Sequence, residues 1–364
     1  MNLRGNKEFT CTHVYSLLRD ICLIIDEVTK AFFTGSIEID ERVNTIRNHI
    51  HLYIKKRGQN QKMYRKVLDY HIDAYGEDVN NIGFYLNDDE EVVGSTLYIA
   101  YILLDTGNLP FPSLEEEAKI RENTLSFAEY IGEICALLSQ SLEKIYGISL
   151  PTNTEYIERV YAENSYECRD INHNALFSSD NDLTNTFILR LIFSLQEIND
   201  VIWLSDRYMT KLKNPLFIDS YLLLRLTTLK TDEIMDNLLN IRNHSKKQFN
   251  EWNNKSDGRV KRFLEKYEQE IKEECSEMRN MIHYDIDSED DERNFVGYLT
   301  NKINQESNYP TNIVNTIIDL YLKPLKYEIL QFLEIEKIEP FSDWRMIVNR
   351  LSKLIKGSLL NNKV

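Results

Sequence analysis

Apolar residues return at every third or fourth position over most of this chain, and that spacing limits it to helices. Between His13 and Phe33 they fall at Val14, Leu17, Leu18, Ile21, Ile24, Ile25 and Val28. This is the buried stripe of an amphipathic helix. With only 7 Pro and 12 Gly in 364 residues, a turn-rich β architecture is excluded. The expected fold class is all-α.

Breakers mark the helix ends. Helices are expected over 13–33, ended by Gly35, over 37–57, ended by Gly58, and over 62–75, ended by Gly76. Asp88 to Glu91 reads as an acidic turn, followed by a short helix over 92–104. Gly107, Pro110 and Pro112 interrupt the chain. Ser113 to Glu116 then forms a capping box for a long helix ending at Gly147.

Residues 151–182 are polar and weakly periodic, and they read as a connector. After it come helices over 183–211, 216–241, 259–284 and 311–333. Pro310 is placed to open the last, and Pro324 to kink it. Asp287 to Arg293 is read as an acidic loop, and 341–360 as a terminal helix. The division expected is a helical N-terminal domain (1–150), a connector (151–182), a four-helix bundle (183–335) and a C-terminal helix (336–364).

The balance of 43 basic and 58 acidic residues gives a net charge of −15. That argues against non-specific coating of DNA while allowing a local basic cleft. Cys11, Cys22, Cys135, Cys168 and Cys275 are odd in number and widely spaced. They suit free thiols in a reducing cytoplasm better than a disulfide framework or zinc site. The first dozen residues lack the apolar core of a signal peptide, and no apolar run approaches the ~20 residues of a membrane span. A cytoplasmic protein without a membrane partner is expected. No glycine-rich phosphate loop, His-Glu-x-x-His pair or Gly-x-Ser-x-Gly elbow occurs, and no cofactor or metal is expected.

One stretch suggests chemistry: Glu277-Met278-Arg279-Asn280-Met281-Ile282-His283-Tyr284-Asp285. Arg279 and His283 are four apart, so on a helix they share a face, offset by roughly 40°. An imidazole exchanges protons near neutral pH, and a guanidinium clamps phosphate. RNA carries its own nucleophile in the 2′-hydroxyl, so this pair can cleave it without a metal. A plain helix end has the same appearance, with His283 stabilised by the macrodipole.

Arg279, Asn280 and His283, followed by Tyr284 and Asp285, resemble the HEPN superfamily in its Arg-Asn-x-x-His-Tyr branch. Three residues separate the Arg from the His, fewer than is commonest there. The resemblance implies a four-helix bundle and a metal-independent ribonuclease of a bacterial toxin–antitoxin or antiphage system. It also implies a homodimer that brings two motifs together, with RNA and an antitoxin or defence protein as partners. Arg47-Asn48-His49-Ile50-His51 repeats the pattern, and Arg47, Asn48 and His51 are read either as a second motif or as coincidence. Phosphate contacts are expected from Arg242, Lys246, Lys247, Arg259, Lys261 and Arg262, with a further basic run from Lys55 to Lys66. Solvated helix ends are the alternative for both groups. The rival to the ribonuclease is a non-catalytic helical interaction or scaffold protein.

Overall fold

The computed structural model describes residues 6–33, 43–44, 46, 60–75, 81–106, 119–147, 166–209, 217–283 and 295–338. The architecture is all-α, with one small sheet. The N-terminal elements are α1 (Asn6–Phe33), α2 (Asn60–Tyr75), β1 (Asn81–Leu86), β2 (Val92–Ser95), α3 (Thr96–Thr106) and α4 (Lys119–Tyr146). Next come β3 (Glu167–Asn172), α5 (His173–Leu176), α6 (Asp182–Trp203) and α7 (Phe217–His244). The chain continues through α8 (Lys246–Lys255), α9 (Arg259–Glu270), α10 (Lys272–His283), α11 (Phe295–Gln305), α12 (Tyr309–Ile317) and α13 (Lys323–Leu333). Among the described residues, no helix is long and apolar enough to cross a membrane.

Several ends form where the sequence places them. Gly147 closes α4 at φ +68°, its N–H donating to Glu143 O at 2.9 Å. Asn181 caps α6 by accepting from Leu183 N at 2.9 Å. Pro310 lies in the first turn of α12, where its missing N–H has no role. Pro324 cannot donate to Leu320 O, and the chain widens into a π turn at Ile318–Leu322 just before it.

Three readings need correction. The segment 92–104 is not one helix: Val92–Ser95 is a fully buried strand, and the helix starts at Thr96. Two adjacent valines suit a pleated surface, and pairing with β1 satisfies their backbone. The expected helix over 259–284 is two helices. Ile271 leaves helical geometry at φ −127°, so that it, Tyr267 and Cys275 are all buried. The segment read as a connector contains β3, which pairs along its whole length with β1, giving the antiparallel order β2-β1-β3. Of the expected helix over 37–57 only Val43, Asn44 and Ile46 are described, each helical, and the expected helix over 341–360 and the loop 287–293 lie outside the described residues.

Among the described residues, α3, α6 and α7 lie in the interior, α3 being buried from Thr96 to Ile102. α6 is buried on every face, and α7 is buried without interruption from Leu224 to Met235. α7 packs on α6, α10 and α12, while α1 packs on α4, α6, α7 and α10. One hydrophobic cluster runs from Cys11 to Ile335, crossing 151–182. Cys11, Cys22 and Cys275 are buried free thiols, and Cys135 is an exposed one.

Candidate functional site

Arg279 projects from α10 onto α7. Its Nη1 donates to Asp232 Oδ2 at 2.8 Å and to Asp236 Oδ2 at 3.3 Å. The two aspartates are one helical turn apart, so both reach the same nitrogen. Ser276, one turn before Arg279, donates to Asp232 Oδ1 at 2.7 Å. Burial works against the charge on Arg279, but Asp232, Glu233 and Asp236 outweigh it and raise its pKa. Burial also raises the pKa of Asp232, with Ser276 opposing and Asp236 reinforcing. Both carboxylate contacts use Nη1. Among the described residues Nη2 has no acceptor, and Nε is buried without one. Asn280 is exposed. His283 is the last residue of α10; its side chain, like Tyr284 and Asp285, lies outside the described residues. So do Arg47, Asn48 and His51.

The expected phosphate contacts separate into two kinds. Arg242 is bidentate on Glu268, at 2.8 and 2.9 Å, and that pairing raises its pKa while lowering that of Glu268. Arg259 is bidentate on Glu328, at 2.6 and 3.4 Å. Lys261 lies 3.7 Å from Glu265, and Arg262 donates to the backbone oxygen of Asp257 at 3.3 Å. Lys246 and Lys247 are exposed in the first turn of α8. Of the other basic run, Arg65 is held by Asp182 at 2.9 and 3.0 Å.

Among the described residues lies a buried polar cluster that sequence reasoning missed. It lies inside α1, α6 and α7. Asp20 and Lys230 meet at 2.9 Å with both side chains buried. Burial raises the Asp20 pKa to about 6 against the opposing pull of Lys230, and it raises Glu197 to about 8. Burial opposes the charge on Lys230, but Asp20, Tyr98, Glu197 and Glu233 together raise its pKa well above the ordinary value. Arg225, fully buried, donates to Glu27 Oε1 at 2.6 Å and to Met278 O at 2.8 Å, tying α7 to α1 and to the turn that carries Arg279. The available signal was spacing: His13, Asp20 and Glu27 recur seven apart along α1. Polar residues recurring at that interval belong to one helix face.

At the other end of α1, about 21 Å from Glu27 by helix rise, His13 Nδ1 lies 2.6 Å from Asp200 Oδ1. Gln196 Nε2 donates to the same oxygen at 2.9 Å. The imidazole stacks on Trp203, with centroids 5.4 Å apart and planes 12° apart. His13 and Trp203 form one wall of a cavity of about 400 Å³. The β1–β2 loop forms another wall, and α13 brings Lys323, Lys326 and Tyr327. Asn87 shapes the loop by accepting from Asp89 N and Glu91 N at 3.1 and 2.9 Å.

No family model, curated protein or solved structure matches the chain significantly. Among the described residues, no group of three or more His, Cys, Asp or Glu is gathered to hold a metal ion. The Arg279 turn offers a fixed guanidinium edge at a helix end. The His13 cavity offers a half-open cleft with aromatic walls and hydrogen-bond acceptors.

Proposed function

We propose that this is a HEPN-like helical protein that cleaves RNA without a metal, in a bacterial toxin–antitoxin or antiphage setting in the cytoplasm. The observation that carries the reading is the way Arg279 is held. Asp232 and Asp236 take one guanidinium nitrogen, leaving Nη2 to grip a phosphate oxygen without losing orientation. In this reading the His283 imidazole takes the proton of a ribose 2′-hydroxyl, whose oxygen attacks the adjacent phosphorus. The 5′-oxygen leaves with a proton, and a 2′,3′-cyclic phosphate remains. Arginine stays protonated and cannot return that proton. The His283 of a second copy supplies it in a homodimer.

A second reading is favoured by different contacts. Arg242 and Arg259, expected on RNA, are bidentate on Glu268 and Glu328. A surface neutralised in this way suits a non-catalytic helical protein that binds another protein.

Incubating the purified protein with total RNA, with and without a chelator, separates the two. Chelator-resistant cleavage leaving cyclic phosphate ends, lost in both Arg279→Ala and His283→Ala, is the result expected of the ribonuclease. Equal activity in the wild type and both variants refutes it. Absence of cleavage at all favours the interaction protein.

A further inference from the structure

The cavity beside His13 is independent of the Arg279 turn, and its lining has a definite chemical preference. Its two ammonium groups are already engaged. Lys326 Nζ lies 2.6 Å from Glu91, and Lys323 Nζ lies 2.8 Å from Asp319. The acceptors are differently placed. Asn199 is 4% exposed, and its Nδ2 donates to Leu195 O at 2.8 Å. That bond fixes the amide orientation, leaving Oδ1 with no donor among the described residues, on a side chain that lines the cavity. Asp89, exposed on the β1–β2 loop, has no cation partner among the described residues, while Asp206, 3.9 Å from Lys323 Nζ, adds a second, shared carboxylate at the rim. Trp203 and Tyr166 give aromatic walls, and Tyr327, 55% exposed, stands at the mouth. The carboxylates on this lining outnumber the ammonium groups, three to two: Asp89, Glu91 and Asp206 against Lys323 and Lys326.

We propose that this cavity binds a small organic cation with N–H donors, an amine or guanidinium carried on a flat or apolar body. Aromatic faces attract such a cation, and the carboxylates concentrate it from solution. Its N–H groups supply the donor that Asn199 Oδ1 lacks. A phosphate or carboxylate would meet Asp89 and Asp206 with both lysines already neutralised. The volume is of the size that encloses most of a small ligand, so a free molecule is expected and not the side chain of a docked protein. His13, held by Asp200 and flat against Trp203, stiffens the inner wall.

Titration calorimetry on the full chain with four probes tests this: tyramine, agmatine, the neutral para-ethylphenol and the anionic para-hydroxyphenylacetate. Tyramine and agmatine are expected to saturate the protein, para-ethylphenol to bind at least about tenfold more weakly, and the anion not to bind. Asp89→Asn, Asp206→Asn and Tyr327→Ala alter exposed side chains, and circular dichroism checks that each stays folded. Each is expected to weaken tyramine by roughly threefold to tenfold, and added salt to weaken it further. The proposal is overturned if neither cation saturates at millimolar concentration, if the anion binds as tightly as tyramine, or if all three variants bind like the wild type. Tighter binding of a lysine-containing peptide than of either amine overturns the assignment to a free small molecule.

Discussion

Arg279 and Arg259 each meet two carboxylate oxygens, yet the two contacts differ in weight because of where they lie. Asp232 is almost fully buried, and Arg279 is 12% exposed as a side chain. Removing one partner there strands the other in a poorly hydrated place. Asp232→Ala is expected to lower unfolding free energy by about 2–3 kcal/mol in a denaturant titration. Arg259 is half exposed, and water screens its contact with Glu328. Arg259→Ala is expected to leave the denaturant midpoint nearly unchanged. The same aspartate bears on the proposed chemistry. Asp232→Asn keeps the shape but weakens the hold on the guanidinium, so cleavage of RNA, if present, should fall about tenfold while the fold survives. Unchanged cleavage would separate the orientation of Arg279 from activity.

Helix ends and breaks decide where these side chains point. Between α8 and α9 the chain turns through Asp257 and Gly258, at φ +50° and +75°. A Cβ on Gly258 would sit 3.1 Å from Arg262 Nη1, the movable end of a long side chain. The main cost of Gly258→Ala is therefore the left-handed backbone, about 1 kcal/mol. A thermal melt showing no loss would contradict that. The break at Ile271 has a different origin: no Gly or Pro marks it, and burial of its side chain produces it. Arg225 then ties α7 to α1 and to the last turns of α10 through Glu27 and Met278. Arg225→Ala leaves Glu27 buried without its cation and is expected to cost about 3–5 kcal/mol. It should also increase hydrogen exchange in α10 more than in α13.

Across the whole molecule, charge in the interior sets a pH dependence. Glu197 rises from an ordinary 4.5 to about 8, and Asp20 from 3.8 to about 6, chiefly through burial. A native pKa above the unfolded one means that the native state holds more protons between those values. Stability therefore falls as pH rises through that interval. The contribution of Glu197 is fully present below about pH 4.5 and is lost as pH approaches about 8. Melting temperature is expected to decline from about pH 5 to about pH 8, and Glu197→Gln, which carries no titrating proton, should flatten the decline. A melting temperature that rises over this range in the wild type would refute the assignment.

The sequence by itself determined that the chain is helical and where several helices stop. Those properties depend on spacing within a few residues, on Gly147 at a helix end and on Pro310 in a first turn. It also singled out Arg279, because Arg and His one helical turn apart are visible in a line of letters. Only the tertiary structure decided what Arg279 meets. Asp232 and Asp236 lie more than forty positions away, and nothing in the local sequence distinguishes them from the other acids of the chain. The same limit hid β3, whose polar Glu-Cys-Arg-Asp-Ile-Asn segment becomes a strand only by pairing with β1. It hid the His13 cavity most completely, since His13 and Asp200 stand 187 positions apart. Periodicity reports which face of a helix is apolar. The partner of a buried polar group depends on which helices pack together, and that is a long-range property of the fold.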